Sequence, residues 1–375
     1  MIYFDNAASG RIKPPSVIGA ATYAMTELSV NAGRSGHALS ETAERLIFSA
    51  RRTTCNVFNG SDVSRVIFTP NCTAALNLAI FGINAYKRTI VTTVTEHNSV
   101  LRPLYKLQKS GYKLIIADFY DKPYITAESV LKLVDGDTAF VVMNAASNVT
   151  GYINEYEKVG KALKPLGIPL IVDGAQAGGH IRIDMLNSGI SCLALAGHKG
   201  LLSIQGAGAL LFDKSVEISP LLYGGSGSET FNEVPSCYPE KLEAGTHDLA
   251  AILSFGEGVK ISDETLDERA EKLLSLTGLM INGLKTINGV RIYSQKNVCG
   301  ICSFSVKDLS SIDLARTFSE RFSIAVRGGF HCAPLIHKSL KTCDNGLIRA
   351  SLSEYNTEKE VATFLNATKT LADEN

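Results

Sequence analysis

The sequence predicts an α/β fold in which a mainly parallel central sheet carries helices on both faces and a smaller α+β domain follows. Between residues 65 and 173, runs rich in β-branched and apolar residues alternate with helix-like segments, which favours parallel strands joined by helices. Farther along, short strands lie close together in the sequence. The chain has 375 residues, of which 45% are hydrophobic, enough for two domains. We expect a large domain over 12–260 and a small domain over 261–375, with residues 1–11 associated with the small domain.

The N-terminal part begins with a short extended segment. Residues 3–9 end in small side chains, which let a ligand come close to the backbone. Pro14 and Pro15 then open a predicted helix that runs to about Glu27.

A Gly-rich segment with one cation and one imidazole follows over residues 31–37. Ser40 is expected to cap the next helix, which ends near Phe58. Loops of this composition are often plain connectors, so Arg34 and His37 either belong to such a connector or line a ligand site.

The central strands are predicted from their β-branched and apolar runs, with helices starting near Thr73 and Asn98 between them. In chain order, the predicted strands cover residues 65–69, 89–93, 113–117, 139–143 and 169–173. In open parallel sheets, ligands bind at the carboxyl ends of the strands, so the residues that follow these runs are candidate site residues.

Polar residues follow three of these strands. Thr73 either contacts a phosphate with the N–H groups of a helix start or is simply an N-cap. His97 is placed to stack on a flat ring, and Asn148 to donate from its amide. Each of them could also be an ordinary cap or turn residue. Their shared position at strand ends is what makes them candidates.

Two further strand ends point to one cofactor. The apolar run 193–196 leads to Lys199, and the apolar run 170–172 leads to Asp173. Burial disfavours the charged form of a lysine, and a neutral amine can form a Schiff base. Pyridoxal phosphate needs such a lysine at its aldehyde and an acid at its pyridine nitrogen. The pair therefore predicts pyridoxal phosphate, although lysines also follow strands as solvated ends.

The pattern of residues changes in the second half of the chain. Residues 223–228 and 243–248 are Gly- and Ser-rich or polar and are expected to be loop. A long amphipathic segment from about Asp263 to Ile287 then leads into the small domain. Its expected elements are strands over 290–293 and 302–306, a helix over 311–321, a further strand, and a final helix from Thr357.

Two residues of the small domain are candidates for chemistry. Cys332 lies beside His331 in a Gly-flanked loop, where positive potential from His331 and Arg327 would favour the thiolate. Arg349 lies in a predicted strand, where its guanidinium could hold a substrate carboxylate. The alternatives are a buried, inert cysteine and an arginine in a structural ion pair.

Composition excludes several classes of function. The 37 basic and 37 acidic residues balance, so no net field would attract nucleic acid or an anionic membrane. The first residues do not resemble a signal peptide, no apolar run is long enough to span a bilayer, and a cytoplasmic location is expected. The eight cysteines are expected to be reduced thiols, the Cys299/Cys302 pair is expected to be structural, and no metal site is expected.

With these residues assembled, the chain resembles the fold-type I pyridoxal-phosphate enzymes of the class V aminotransferase superfamily. Within it, the chain is most similar to the cysteine desulfurases and selenocysteine lyases, over nearly the whole length. The most specific motifs are Asp-Gly-Ala-Gln at 173–176, Gly-His-Lys at 197–199 and Arg-Gly-Gly-Phe-His-Cys-Ala-Pro at 327–334. The last motif resembles the cysteine loop of the second, Suf-type group of desulfurases.

The resemblance implies a role for each matching residue at the cofactor. Lys199 would form the Schiff base, Asp173 would pair with the pyridine nitrogen, and Gln176 would bond the ring oxygen. His97 would stack on the ring and take part in catalysis. Thr73 and His198 would contact the phosphate, and Thr246 would reach the phosphate of the partner subunit in a homodimer.

The resemblance also implies a substrate and a nucleophile. Asn148 and Arg349 would hold the substrate carboxylate, with Arg34 and His37 as further candidates near the substrate. Cys332 would take the sulfur of L-cysteine as a persulfide and leave L-alanine, after Lys199 removes the α-proton. A sulfur-acceptor protein would then be a partner.

The chain departs from the family pattern at two positions. Ala196 stands where the family usually has serine, which removes a phosphate hydroxyl. Phe330 stands where the Suf-type group usually has histidine, which removes one base near the nucleophile. Three hypotheses remain open at this point: a desulfurase using Cys332, a selenocysteine lyase or other β-lyase in which Cys332 is dispensable, and a non-catalytic scaffold.

Overall fold

The computed structural model describes residues 1–33 and 35–374 and has the predicted α/β architecture. The strands are β1 (Ile2–Tyr3), β2 (Val66–Thr69), β3 (Thr89–Thr93), β4 (Lys113–Ala117), β5 (Thr138–Asn144), β6 (Leu170–Asp173), β7 (Cys192–Ala196), β8 (Gly208–Phe212), β9 (Val290–Ile292), β10 (Ile301–Val306), β11 (Ile324–Ala325), β12 (Arg327–Gly329) and β13 (Leu347–Ser351). The α-helices are α1 (Pro15–Thr26), α2 (Ala38–Val57), α3 (Cys72–Gly82), α4 (Asn98–Lys109), α5 (Ala127–Leu131), α6 (Tyr156–Leu163), α7 (Leu249–Glu264), α8 (Leu266–Lys285), α9 (Ser311–Phe322), α10 (Pro334–Leu340) and α11 (Glu358–Glu374).

The central sheet has seven strands in the order β2-β8-β7-β6-β5-β3-β4. The strands from β7 to β4 pair in parallel, whereas β8 is antiparallel to both β7 and β2. The expectation of a mainly parallel sheet is confirmed, with β8 as the antiparallel member. Because β3, β5, β6 and β7 are parallel, their carboxyl ends lie at one edge, and the residues that follow them can form one site.

Both faces of this sheet are buried, as its apolar strands predict. In β5, Val141 and Met143 point into one apolar cluster, which includes residues of α2 and α7. Phe140 and Val142, on the other face, point into a second cluster with residues of α3 and α4. Helices therefore cover both faces and keep water away from the strands that carry the candidate site residues.

The C-terminal part forms a four-stranded antiparallel sheet in the order β12-β13-β10-β9. Phe304, Phe318 and Phe364 form its aromatic core, and Phe4 packs edge-on against Phe364 with the ring centroids 5.6 Å apart. β1 pairs in parallel with β11, so the first residues lie on the C-terminal part. The domain division at residues 260 and 261 stays a prediction, and it falls inside α7.

One local expectation is wrong. Ser40 does not cap α2, because His37 is the N-cap and its side chain accepts a hydrogen bond from the Ser40 N–H. The long amphipathic segment expected from about Asp263 to Ile287 corresponds to α8, and α7 precedes it, with Thr265 between the two helices. No helix in the described part of the chain is both long and apolar enough to cross a bilayer.

Candidate active site

A cavity of about 230 Å³ lies at the carboxyl edge of the central sheet, where residues of the C-terminal sheet close over it. Its lining includes eight of the residues singled out from the sequence, namely Thr73, His97, Asn148, Asp173, Gln176, His198, Lys199 and Arg349. These residues come from six separate segments of the chain, and the central sheet and the C-terminal sheet bring them together.

Lys199 follows β7, whose five residues are all buried. The strand and the turn after it carry the lysine side chain into the cavity beside Asp173. Burial lowers the pKa of the Lys199 amine, and the charge of Asp173 opposes this effect. Burial therefore increases the neutral, nucleophilic fraction of this amine.

Asp173 is the last residue of β6, and its carboxylate is oriented by two donors. The Ala175 N–H donates to Oδ1 over 2.9 Å, and the Cys72 thiol contacts the same oxygen at 3.6 Å. Burial raises the pKa of Cys72 well above the usual range, so this thiol stays protonated and can donate. Since both contacts go to Oδ1, Oδ2 is the oxygen left for a protonated ring nitrogen.

The N-terminus of α3 forms another side of the cavity. Asn71, not Thr73, caps this helix, since its side chain accepts from the Ala74 N–H over 2.9 Å. Thr73 therefore is not the N-cap, and it lines the cavity together with the first turn of α3. A helix N-terminus with a hydroxyl beside it favours an anion such as phosphate.

His198 lines the cavity as well, and its Nδ1 lies 3.2 Å from Ser9 Oγ. Burial, aided by the charges of Lys199 and Lys13, lowers the pKa of His198 to about 4. A neutral His198 can bind an anion only by hydrogen bonding. The buried side chain of Ala196 also lines this cavity and adds no hydroxyl.

His97 and Gln176 are held by local hydrogen bonds. His97 is the N-cap of α4, and its Nδ1 accepts from the Ser99 N–H over 3.1 Å. Burial lowers the pKa of His97 to about 4, the charge of Asp173 opposes this effect, and the charge of Lys199 adds to it. Gln176 donates to the Ala7 carbonyl over 2.9 Å. His97 is thus both a cap and a cavity residue, and its ring is neutral at pH 7.

Arg349 is buried in β13 and takes part in the ion pair that the alternative interpretation expected. Its Nη2 donates to Asp5 Oδ1 and its Nη1 to the Asn148 carbonyl, both over 3.0 Å. Its Nε and the Asn148 Oδ1 are buried without a partner in the described structure. A buried N–H without an acceptor is costly, and a ligand carboxylate would satisfy it.

Cys332 is exposed, so the alternative of a buried, inert cysteine is wrong. The Arg327 Nη2, from a residue that lines the cavity, contacts Cys332 Sγ at 3.6 Å. The loop backbone is anchored at two adjacent residues, because the Cys332 carbonyl accepts from the Asn98 N–H over 2.7 Å and the His331 carbonyl accepts from the Asn148 side chain over 2.8 Å. The thiol is thus held beside the cavity by a short, anchored loop.

His331 does not supply the positive potential expected near Cys332. Burial lowers its pKa well below the usual range, and the charge of Arg349 lowers it further. Its Nε2 lies 3.1 Å from the Leu347 carbonyl, which fixes the ring as a neutral donor at that nitrogen. Arg327 is therefore the cation that faces the thiol.

Some of the predicted residues do not line this cavity. His37 is exposed and caps α2, and Thr246 is exposed in the segment before α7. Arg34 lies outside the described residues. Cys332 is not among the lining residues either, although Arg327 and His331, which precede it in the same loop, are.

The structure also adds residues that the sequence did not single out. Asn144 lines the cavity as the last residue of β5, and its place at the end of a parallel strand was a usable signal. Cys72 lines it through the first turn of α3, and no sequence pattern indicates a thiol contact with Asp173.

The residues present fit pyridoxal phosphate. The cavity has an amine for the aldehyde in Lys199, a carboxylate for the pyridine nitrogen in Asp173, and a helix N-terminus with Thr73 for the phosphate. The unpartnered Nε of Arg349 adds a donor for a second anionic group, the carboxylate of an amino acid. These four features lie in one enclosed space.

The fold and this cavity define a pyridoxal-phosphate enzyme of fold type I. Residues 2–364 match the family described as aminotransferase class-V, so the chain belongs to that family. Its relatives and structural neighbours show further that it falls among the cysteine desulfurases of the family.

A probable cysteine desulfurase of Pyrococcus abyssi is 32% identical over 99% of this chain and 94% of its own length. A probable cysteine desulfurase of Borreliella burgdorferi is 30% identical over 100% of this chain and 92% of its own. The apo structure of a cysteine desulfurase from Thermococcus onnurineus superimposes with a TM-score of 0.90 at 29% identity, covering 100% of this chain and 95% of the other.

Proposed function

We propose that the protein converts L-cysteine to L-alanine with pyridoxal phosphate and takes the sulfur as a persulfide on Cys332. The observation that supports this most directly is the exposed thiol of Cys332, which Arg327 contacts while lining the same cavity as Lys199 and Asp173. A thiol and an amine for the cofactor therefore lie on the same side of the molecule, with Arg327 contacting the thiol and lining the cavity of the amine.

The cofactor residues act through protonation states. When bound, pyridoxal phosphate supplies a protonated ring that takes up the electron pair left at the substrate α-carbon. Asp173 keeps the ring nitrogen protonated through Oδ2, because Ala175 and Cys72 hold Oδ1. Lys199, whose pKa is lowered by burial, binds the cofactor at rest and accepts the α-proton when released.

The substrate carboxylate is proposed to lie against Arg349 and Asn148. Arg349 is held by Asp5 and by the Asn148 carbonyl, so its unpartnered Nε has a fixed direction. A preorganised donor of this kind orients the substrate without loss of rotamer freedom at the moment of binding.

The sulfur step balances without an added oxidant. The Cys332 thiolate attacks the substrate sulfur, so a sulfur–sulfur bond forms while the carbon–sulfur bond breaks. The electron pair of the broken bond goes to the β-carbon, which takes up a proton to give alanine. One cysteine and one enzyme thiol thus become one alanine and one enzyme persulfide.

Three finer proposals accompany this function. The short, anchored loop of Cys332 supports a Suf-type active site, in which a sulfur-acceptor protein comes to the exposed thiol. The exposed position of Thr246 supports a homodimer in which this residue reaches the partner's phosphate site. The absence of Cys332 from the cavity lining keeps a selenocysteine lyase or other β-lyase as the second candidate.

Mass spectrometry of the protein after incubation with cysteine tests the main proposal. We expect one added sulfur on Cys332 and release of alanine. The exposed cysteines Cys237 and Cys343 are internal controls, since both are free thiols that do not line the cavity. Alanine release with no sulfur on Cys332, or sulfur spread equally over the three cysteines, would favour the β-lyase instead.

A further inference from the structure

Arg269 of α8 is a buried arginine whose guanidinium donates hydrogen bonds to three different groups. Only 5% of the residue is exposed. Its Nη1 donates to the Gly179 carbonyl and its Nη2 to the Gly200 carbonyl, both over 3.0 Å. Its Nε donates to Glu354 Oε1 over 2.9 Å.

The two carbonyls belong to the segments that carry the cofactor residues. Gly200 directly follows Lys199, and Gly179 lies shortly after Asp173, beyond the turn at residues 175–177. The two backbones touch, because a Cβ on Gly179 would collide with the Gly200 carbonyl, and Gly179 has a φ of +81°. The guanidinium of Arg269 therefore bonds to two backbone segments that pack directly against each other, with no space for a side chain between them.

The third contact links these segments to the C-terminal sheet. Glu354 lies shortly after β13, the strand that carries Arg349. Neighbouring His180 cannot replace the guanidinium, since burial and the nearby charges of Arg269 and Lys199 lower its pKa to about 3 and leave its ring neutral. Arg269 thus connects the ends of β6, β7 and β13.

We propose that Arg269 is a positioning residue, which sets the direction of Lys199 in the cofactor cavity by holding the Gly179 and Gly200 carbonyls. The proposal rests on the cofactor role of Lys199, not on the fate of the substrate sulfur. A lysine at 269 would keep the charge but could not reach both carbonyls and the carboxylate in one plane.

Arg65 offers a matched control. Its guanidinium also donates to two carbonyls, those of Asp213 and Val216, and to one carboxylate, that of Glu217. It does not contact the cavity. If Arg269 only stabilises the fold, its replacement by lysine should have the same effects as the replacement of Arg65.

The experiment compares Arg269→Lys with Arg65→Lys in two measurements. In the holoenzyme, the first-order rate of cofactor release is measured by absorbance, and we expect release from Arg269→Lys to be at least about tenfold faster, as the loss of charged hydrogen bonds implies. In the apoprotein, acetylation of Lys199 by a limiting reagent is measured by peptide mapping, and its rate relative to the other lysines should change. Arg65→Lys should lower the melting temperature without changing either value.

Equal release rates and equal Lys199 labelling in the two variants would overturn the proposal and leave Arg269 a structural residue. If Arg269→Lys does not fold, Glu354→Gln provides the test, because it keeps an acceptor oxygen but removes the charge that orients the guanidinium. It should show the same changes to a smaller extent, and unchanged values would again refute the positioning role. Failure of the proposed function is separate: it would appear in the wild type as alanine release with no sulfur on Cys332, while cofactor release and Lys199 labelling would still differ between the two variants.

Discussion

At the scale of single residues, Cys332 is the residue that distinguishes a desulfurase from a β-lyase. We expect Cys332→Ser to bind cysteine and cofactor normally but to release almost no alanine, because a hydroxyl is a poor acceptor of sulfur and Arg327 would face no thiolate. Spectral titration with cysteine measures binding, and a coupled assay measures alanine.

Cys343→Ser is the control, since Cys343 is an exposed free thiol that does not contact the cavity. Its alanine release should equal that of the wild type. Selenocysteine as substrate should show a smaller loss in Cys332→Ser, because the weaker carbon–selenium bond needs less help from a thiolate. Alanine release from cysteine at the parent rate in Cys332→Ser would mean that the protein is a β-lyase.

Ala196 is the second residue with a direct test. It lines the cavity, and the family resemblance implies a serine at this position, so a phosphate bound there would have one hydroxyl fewer. We expect Ala196→Ser to slow cofactor release by about tenfold, since a hydrogen bond to a charged group contributes about 1.5–3 kcal/mol. The release rate of the holoenzyme after gel filtration provides the measurement.

Ala146→Ser tests whether the effect is specific, because Ala146 lines the same cavity but follows β5. Its release rate should stay near that of the wild type. A rate for Ala196→Ser equal to that of Ala146→Ser would show that residue 196 does not face the phosphate.

The sequence predicts the site residues that stand at strand ends and fails for those placed by tertiary contacts. Asp173 and Lys199 follow apolar strands, and parallel pairing alone brings them to one edge. The Asn71 cap and the Cys72 contact with Asp173 depend on how α3 meets the sheet, and the buried neutral state of His331 depends on packing under β13. Spacing along the chain contains no information about these contacts.

At the scale of elements, the connection between β3 and α4 contains a buried carboxyl group in Glu96. Burial raises the pKa of Glu96 to about 8, while hydrogen bonds from Thr93 and from the Asn144 N–H act in the opposite direction. The Oε2 atom has no partner in the described structure. The folded protein therefore keeps Glu96 protonated over a pH range in which the unfolded chain is ionised.

The sign of the pH dependence follows from linkage. Between the ordinary pKa of 4.5 and the folded value of about 8, the folded state binds more protons than the unfolded state, so stability falls as pH rises. Relative to Glu96→Gln, the wild-type apoprotein should lose up to about 1.4 kcal/mol per pH unit across this window. Urea unfolding of both proteins at several pH values between 4 and 9 measures the difference.

Below pH 4.5 the difference in unfolding free energy between wild type and Glu96→Gln should stay constant, and this range is the internal control. If the unfolding free energies of the two proteins change in parallel with pH across the whole range, Glu96 is ionised in the folded state. The Gln side chain can still accept from Thr93 and Asn144, so a general loss of packing is not expected to obscure the comparison.

Most strands and helices could be predicted from sequence patterns, and α7 could not. The central strands and the helices between them were predictable because their apolar runs are short and bounded by polar residues. α7 was missed because it is buried on most sides and therefore lacks the one-sided apolar pattern of a surface helix. Its start is encoded only by the Asp248 cap, which accepts from the Ala251 N–H over 3.0 Å.

At the scale of the whole molecule, one exposed region is unusually apolar. Leu222, Tyr223 and Phe231 are largely exposed in the irregular segment between β8 and α7, the same segment that contains Thr246. Exposed large apolar side chains in one region are typical of subunit interfaces. Two contacts near Thr246 restrain this segment, since Glu243 pairs with both Arg51 and His247.

A complementation experiment tests whether Thr246 serves the partner's site. Lys199→Ala alone should be inactive, and Thr246→Ala alone should bind cofactor at least about tenfold more weakly through loss of a phosphate hydrogen bond. In a heterodimer of the two, the subunit with Lys199 receives Thr246 from its partner, so one complete site is present. Coexpression with two affinity tags isolates this heterodimer, and we expect it to regain cofactor affinity and activity at one of its two sites. A double variant, Lys199→Ala with Thr246→Ala, coexpressed with wild type is the matched control, because it places both substitutions in one subunit and leaves no complete site. Equal activity in the two heterodimers, or an active monomer in sedimentation, would show that Thr246 does not act across a subunit boundary.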